Sequence, residues 1–192
     1  MTAIIPYSNV LIAMSSIGAI CNYHNSGSFG LSGDNVQTVG WLTDDDPTIR
    51  PEMRQHSRLF SRDELIPRLL QIWQKHLPGP IWIMPASHWA FELNYGNADW
   101  LPQRLSEIGI DPSLLRDRND GSAIAFDWTE RNAVTDLTAD LLTRSTASDF
   151  TATWPTHATV AMLHHHRQIW WRTMELELAD DLRLISPSIA VD

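Results

Sequence analysis

The 192-residue chain predicts an α+β fold, a single domain over residues 1–192 with a mostly antiparallel sheet, about three packed helices and a C-terminal β-meander. Three observations predict it. Helical and strand-like segments do not alternate as regular βαβ units. Residues 129–144 carry a broad apolar helical stripe, with Val134, Leu137 and Leu141 beside Ala133, Thr138 and Leu142. After it come three strand-like runs, 150–154, 158–164 and 168–173, most simply an antiparallel meander.

Taken in order, residues 10–20 are apolar but have no basic residue before them and contain Ser15-Ser16, so they predict a buried strand or short helix rather than a secretory signal. The stretch is too short to span a bilayer. Residues 22–35 hold three of the nine glycines among Ser and Asn and predict a mobile surface loop. A short strand follows over 36–42, ended by the turn Asp44-Asp45-Asp46-Pro47. Leu65, Leu69, Ile72 and Trp73 have helical spacing, with Ser61 to Glu64 in the form of a capping box and Pro78-Gly79-Pro80 as the stop. Pro67 would forfeit a hydrogen bond in that helix and points to Asp63 as an alternative cap.

Residues 81–84 and 88–95 predict two strands. In the second, Trp89, Phe91, Leu93 and Tyr95 share one face, and His88, Ala90, Glu92 and Asn94 share the other. Residues 97–108 predict a helix that tolerates Pro102 in its first turn, and Asp111-Pro112 opens a short helical turn through Leu115. A polar loop over 116–121 leads to a strand over 122–127. No glycine occurs after Gly121, so the turn near residues 165–167 must use other residues.

Composition narrows the function classes. A net charge of −9, a single lysine (Lys75) and no Lys or Arg over residues 1–49 argue against nucleic acid as a partner. Cys21 is the only cysteine, so no intrachain disulfide exists and cytoplasmic residence is the default expectation, with no membrane partner. Nine tryptophans offer large apolar surfaces that suit cores, interfaces and ligand clefts alike.

The concentrated chemistry lies in His164-His165-His166. On a continuous strand His164 and His166 share a face about 7 Å apart, a spacing from which imidazoles can converge on zinc or another transition metal. His157, His88, Glu92 and Asp149 are the candidates for a further ligand. The His-x-His pattern resembles that of metal-binding cupins over three residues. The glutamate and glycine that follow it there are absent from residues 167–171, and no function is carried over.

His88, Glu92, His164 and His166 together form a candidate polar pocket, in which Glu92 would act as base or orient a ring. Trp170, Trp171 and Arg172 form a candidate binding surface, because exposed tryptophan is enriched at binding hot spots. Cys21 with His24 reads as a buried thiol, Gly27 to Gly33 lacks the lysine of a phosphate-binding loop, and Asp44 to Asp46 lacks the pattern of a calcium loop.

The first reading is therefore a domain that binds a protein or small molecule through a Trp/His-rich strand surface. A metal-assisted hydrolase or His/Glu acid–base enzyme is the second. An acidic inhibitor of a basic partner is the third.

Overall fold

The computed structural model describes residues 2–43, 58–146 and 148–185, so the acidic turn at residues 44–46 lies outside the described residues. Ten strands are described: β1 (Ala3–Ile5), β2 (Ala19–Cys21), β3 (Phe29–Leu31), β4 (Gln37–Leu42), β5 (Arg58–Leu59), β6 (Ile81–Pro85), β7 (Ala123–Phe126), β8 (Phe150–Thr153), β9 (Thr159–His164) and β10 (Gln168–Thr173). The helices are α1 (Tyr7–Ser16), α2 (Arg62–His76), α3 (Trp89–Phe91, continued as a π-helix over Glu92–Gly96), α4 (Leu101–Glu107), α5 (Ser113–Arg116), α6 (Arg131–Arg144) and α7 (Leu176–Leu184). None of them is long and apolar enough to cross a membrane.

Eight strands form one sheet in the order β1-β7-β6-β8-β9-β10-β4-β5, antiparallel except where β5 joins β4. The predicted meander is β8, β9 and β10, paired in sequence. Both faces of the middle strands are covered, which is why β6 reads as a continuous apolar run. Ile81 and Ile83 join the larger core under α2, α6 and α7, while Trp82 and Met84 meet Val10 and Met14 of α1 and Phe29 and Leu31 of β3. On β7, Ile124 and Phe126 fill the first core and the small Ala123 and Ala125 belong to the second.

Several elements depart from expectation. Residues 22–35 are not simply a surface loop, since they include β3, and Ser26 to Phe29 are buried. Their glycines serve close approach: a Cβ on Gly27 would lie 2.3 Å from the Pro85 oxygen, and one on Gly121 would lie 2.3 Å from the Gly27 nitrogen. Ser61 does precede α2, but its side chain makes no capping hydrogen bond, and the helix runs through Pro67.

The predicted strand over 88–95 is helical. Its alternating pattern contains the pair Trp89 and Leu93, four apart and both buried, which fits one helical face equally well. His88 decides the matter locally, because its Nδ1 accepts the Phe91 N–H at 3.1 Å and caps the first turn. The unanticipated α7 buries Leu178 and Leu182, also four apart, on the larger core.

Lys75 and His76 at the end of α2 bind the Asp181 carboxylate of α7, His76 Nε2 at 2.7 Å. These bonds, that from Lys75 first, hold the Asp181 pKa below its usual value of 3.8. A carboxylate lowered in the fold stabilises above its ordinary pKa, and that contribution is lost as pH falls through the folded value. Asp181→Asn is expected to cost about 0.5–1 kcal/mol at neutral pH. The difference from the parent should shrink in acid, as checked by urea unfolding at about pH 7 and about pH 3.

Candidate functional site

The tip of the β9–β10 hairpin holds the densest polar chemistry. His164 ends β9 opposite Gln168, leaving His165, His166 and Arg167 as a three-residue loop. Such loops need a last residue with positive φ, and in the absence of glycine Arg167 takes it at 60°. The Arg167 carbonyl accepts both the backbone N–H and the hydroxyl of Thr43, each at 2.8 Å, which pins the turn to the end of β4.

His164 and His166 therefore do not share a strand face. The turn gathers all three rings instead, with centroid separations of 4.5 Å (His164–His165, stacked), 5.1 Å (His164–His166, stacked) and 4.3 Å (His165–His166, tilted by 40°). One nitrogen from each lies within 4.8 Å of the others.

Asp149, just before β8, supports the cluster. Its Oδ1 accepts the His165 backbone N–H at 3.1 Å and bonds the His165 ring Nδ1 at 2.7 Å. A carboxylate only accepts, so this ring proton sits on Nδ1 and Nε2 of a neutral His165 presents a lone pair. His164 is arranged the other way. Its Nδ1 accepts the His166 backbone N–H at 3.1 Å, which places the proton on Nε2, 3.7 Å from Asp149 Oδ2. Burial pushes the His164 pKa down; the Asp149 carboxylate opposes this, and the two neighbouring imidazoles add to it. All four side chains remain partly accessible.

Glu92 does not join this cluster. It is fully buried, its carboxylate receiving Ser87 Oγ on one oxygen and Asn97 Nδ2 at 2.6 Å on the other. Asn97 in turn accepts the Trp100 indole N–H at 3.1 Å. This network holds the π-turn after α3, a local widening of the helix that is often found at functional sites.

His88 lines a separate open cleft with Phe91, Asn94, Tyr95, Arg116, Asp117 and Asn119. The expected common pocket of His88, Glu92, His164 and His166 is thus divided among three settings, because residues 89–96 coil rather than extend. His157 bonds Glu175 at 3.0 Å and lies at the opposite end of β9, about 17 Å of strand from the tip.

The expected tryptophan surface is also divided. Trp171 is 4% exposed and packs on Trp154 in the core, ring centroids 4.8 Å apart. Trp170, half-buried on the other face, lies over Gly40 with its indole N–H donating to Gln168 at 2.7 Å, and Arg172 is exposed on that face. The Cys21 thiol donates to the Tyr23 carbonyl at 2.9 Å and has the Tyr7 hydroxyl at 3.4 Å, with no bond to His24. A void of about 40 Å³ among Trp73, Trp154 and Trp171 has room for little more than one water.

Compared with known protein families, curated proteins and solved structures, the chain matches none. Function must be argued from geometry. His165 and Arg116 are the residues the sequence did not single out: strand alternation assigned His165 to the opposite face, and Arg116 sits in what reads as mixed surface charge. The missing glycine at the turn was the one signal that the histidines would bunch together.

Removing the Glu92 carboxylate leaves Ser87 with only a long bond to the His88 carbonyl, 3.5 Å, and the amide of Asn97 with only a long one to the Ser145 hydroxyl, 3.4 Å. Glu92→Ala is expected to destabilise by about 2–4 kcal/mol, with Glu92→Gln milder because an amide oxygen still accepts. Urea denaturation midpoints of the two variants measure the difference.

Proposed function

We propose that the protein is a binding domain for a borderline transition-metal ion, zinc foremost, held by imidazoles at the tip of the β9–β10 hairpin. The observation that carries this is the backing of His165 by Asp149. A carboxylate on one imidazole nitrogen fixes the ring's tautomer and raises the basicity of the other, the arrangement characteristic of metal-ligating histidine.

His165 Nε2 is the first ligand on this reading, with His166 beside it. His164 is third, and joining requires its Nε2 proton to move to Nδ1 and the His166 N–H bond to break. Tetrahedral zinc with Zn–N near 2.1 Å places ligand nitrogens about 3.4 Å apart, so the rings close inward from their present spread. Neutral imidazoles suit zinc, nickel and copper, and the accessible tip leaves a coordination position to water or to a partner's side chain.

An enzyme with Glu92 as base finds no support in this arrangement, because both Glu92 oxygens are engaged and none of its side-chain bonds reaches an imidazole. An acidic inhibitor of a basic partner rests on net charge alone.

Calorimetric titration of tag-free protein with zinc and nickel is expected to give one saturable site per chain. His165→Ala should abolish it, and Asp149→Ala should weaken it about 10- to 100-fold without touching a ligand. Absence of a saturable site, or equal binding in the His165→Ala variant, overturns the reading.

A further inference from the structure

The cleft beside the π-turn is a second site, built from residues that neither the hairpin tip nor Glu92 uses. Its volume is about 330 Å³, within the range of small-ligand clefts. One wall is aromatic. Phe91 and Tyr95, four apart on the coiled segment, present rings 6.4 Å apart and tilted by 36°, and Tyr95 is 79% exposed. Phe91 is partly accessible, with the His88 ring edge-on to it at 6.2 Å between centroids, and Tyr95 beside it faces water.

Donors line the same cleft. Arg116 is exposed at the end of α5, and among the described residues its guanidinium makes no ion pair; its one side-chain bond is a long one, 3.3 Å, to Asn94. His88 adds to Arg116, since its Nδ1 accepts the Phe91 N–H and the neutral ring therefore carries its proton on Nε2 as a donor.

We infer that this cleft binds a small aromatic carboxylate, the carboxylate paired with Arg116 and the ring laid on Phe91 and Tyr95. The planar fork of arginine matches a carboxylate with two parallel N–H···O bonds. Asp117 also lines the cleft and repels any anion, twice as strongly for a dianion such as a phosphate monoester, which therefore suits the site less well than a singly charged carboxylate. The buried Glu92 network has a purpose on this account. It fixes the π-turn on which Phe91, Asn94 and Tyr95 ride, so Glu92 is a positioning residue.

The test is titration of the ¹⁵N-labelled full chain, followed by amide shifts, with benzoate, its neutral counterpart benzamide, and acetate as probes. Benzoate is expected to produce saturable shifts confined to residues 88–96 and 116–119. Benzamide, which lacks the charge, and acetate, which lacks the ring, should each bind at least about tenfold more weakly. Arg116 is exposed, so Arg116→Gln should leave the spectrum folded while weakening benzoate by about tenfold or more. Tyr95→Ala, also at an exposed position, should weaken benzoate but not acetate. No saturable shift up to about 10 mM benzoate, or equal affinity in Arg116→Gln, overturns the inference. Zinc titration of Arg116→Gln should match the parent, so failure at this cleft is distinguishable from failure at the hairpin tip.

Discussion

Asp149 ties three strand ends together, and the arrangement of polar chemistry depends on it. Its backbone carbonyl accepts the Ala86 N–H at 2.8 Å, just past the end of β6, while its carboxylate holds the His165 backbone and ring at the end of β9. One residue at the start of β8 thus satisfies both neighbours in the sheet. The hairpin it braces is otherwise under strain, because Arg167, which carries a Cβ, sits at φ of 60°, a conformation that costs about 1 kcal/mol or more and that glycine adopts freely. Asp149 on one side and Thr43 on the other compensate with hydrogen bonds to the turn. Three imidazoles in van der Waals contact are the consequence of a turn that is both tight and pinned.

The sheet order places the two sites near each other without merging them. β6, β9 and β4 finish at the same end at which β8, β10 and β7 begin, so their connections gather there. The exit of β6 leads through Ala86 to His88 and the cleft, whereas the exit of β9 leads to the hairpin tip. Between them run Asp149 and the backbone contact of Gly27 with Pro85. The glycines at 27 and 121 permit this crowding, and a side chain at either would separate the strand ends that the polar groups bridge.

Much of the fold was legible because burial writes periodicity into sequence. The stripe of α6, the stop after α2 and the three-strand meander each carry an unambiguous repeat. The segment 88–95 was misread because Trp89 and Leu93 satisfy both a period of two and a spacing of four, and the deciding contacts, Glu92 with Ser87 and Asn97, appear only once the chain is folded. β1 and β2 are three residues each, too short for any pattern, and α7 carries only two core leucines. At the site, the histidines were visible as residues but not as a constellation. Their geometry depends on a turn conformation at Arg167 that residue identity disfavours and tertiary hydrogen bonds impose.

The buried Glu92 shows why the polar residues are better sorted by their partners than by their type. A carboxylate removed from water costs several kcal/mol unless it is fully hydrogen-bonded, and Ser87 and Asn97 supply those bonds. An acid so enclosed is poorly placed to accept a substrate proton, and its bonds instead determine how the backbone coils from Glu92 to Gly96. Arg116 is the reverse case, a charge left to water where a carboxylate would readily have paired with it. In a chain with 23 acidic and 14 basic side chains, carboxylates outnumber their possible partners. The enclosed acid therefore marks what holds the local structure, and the open base beside it marks where the structure has room for something else.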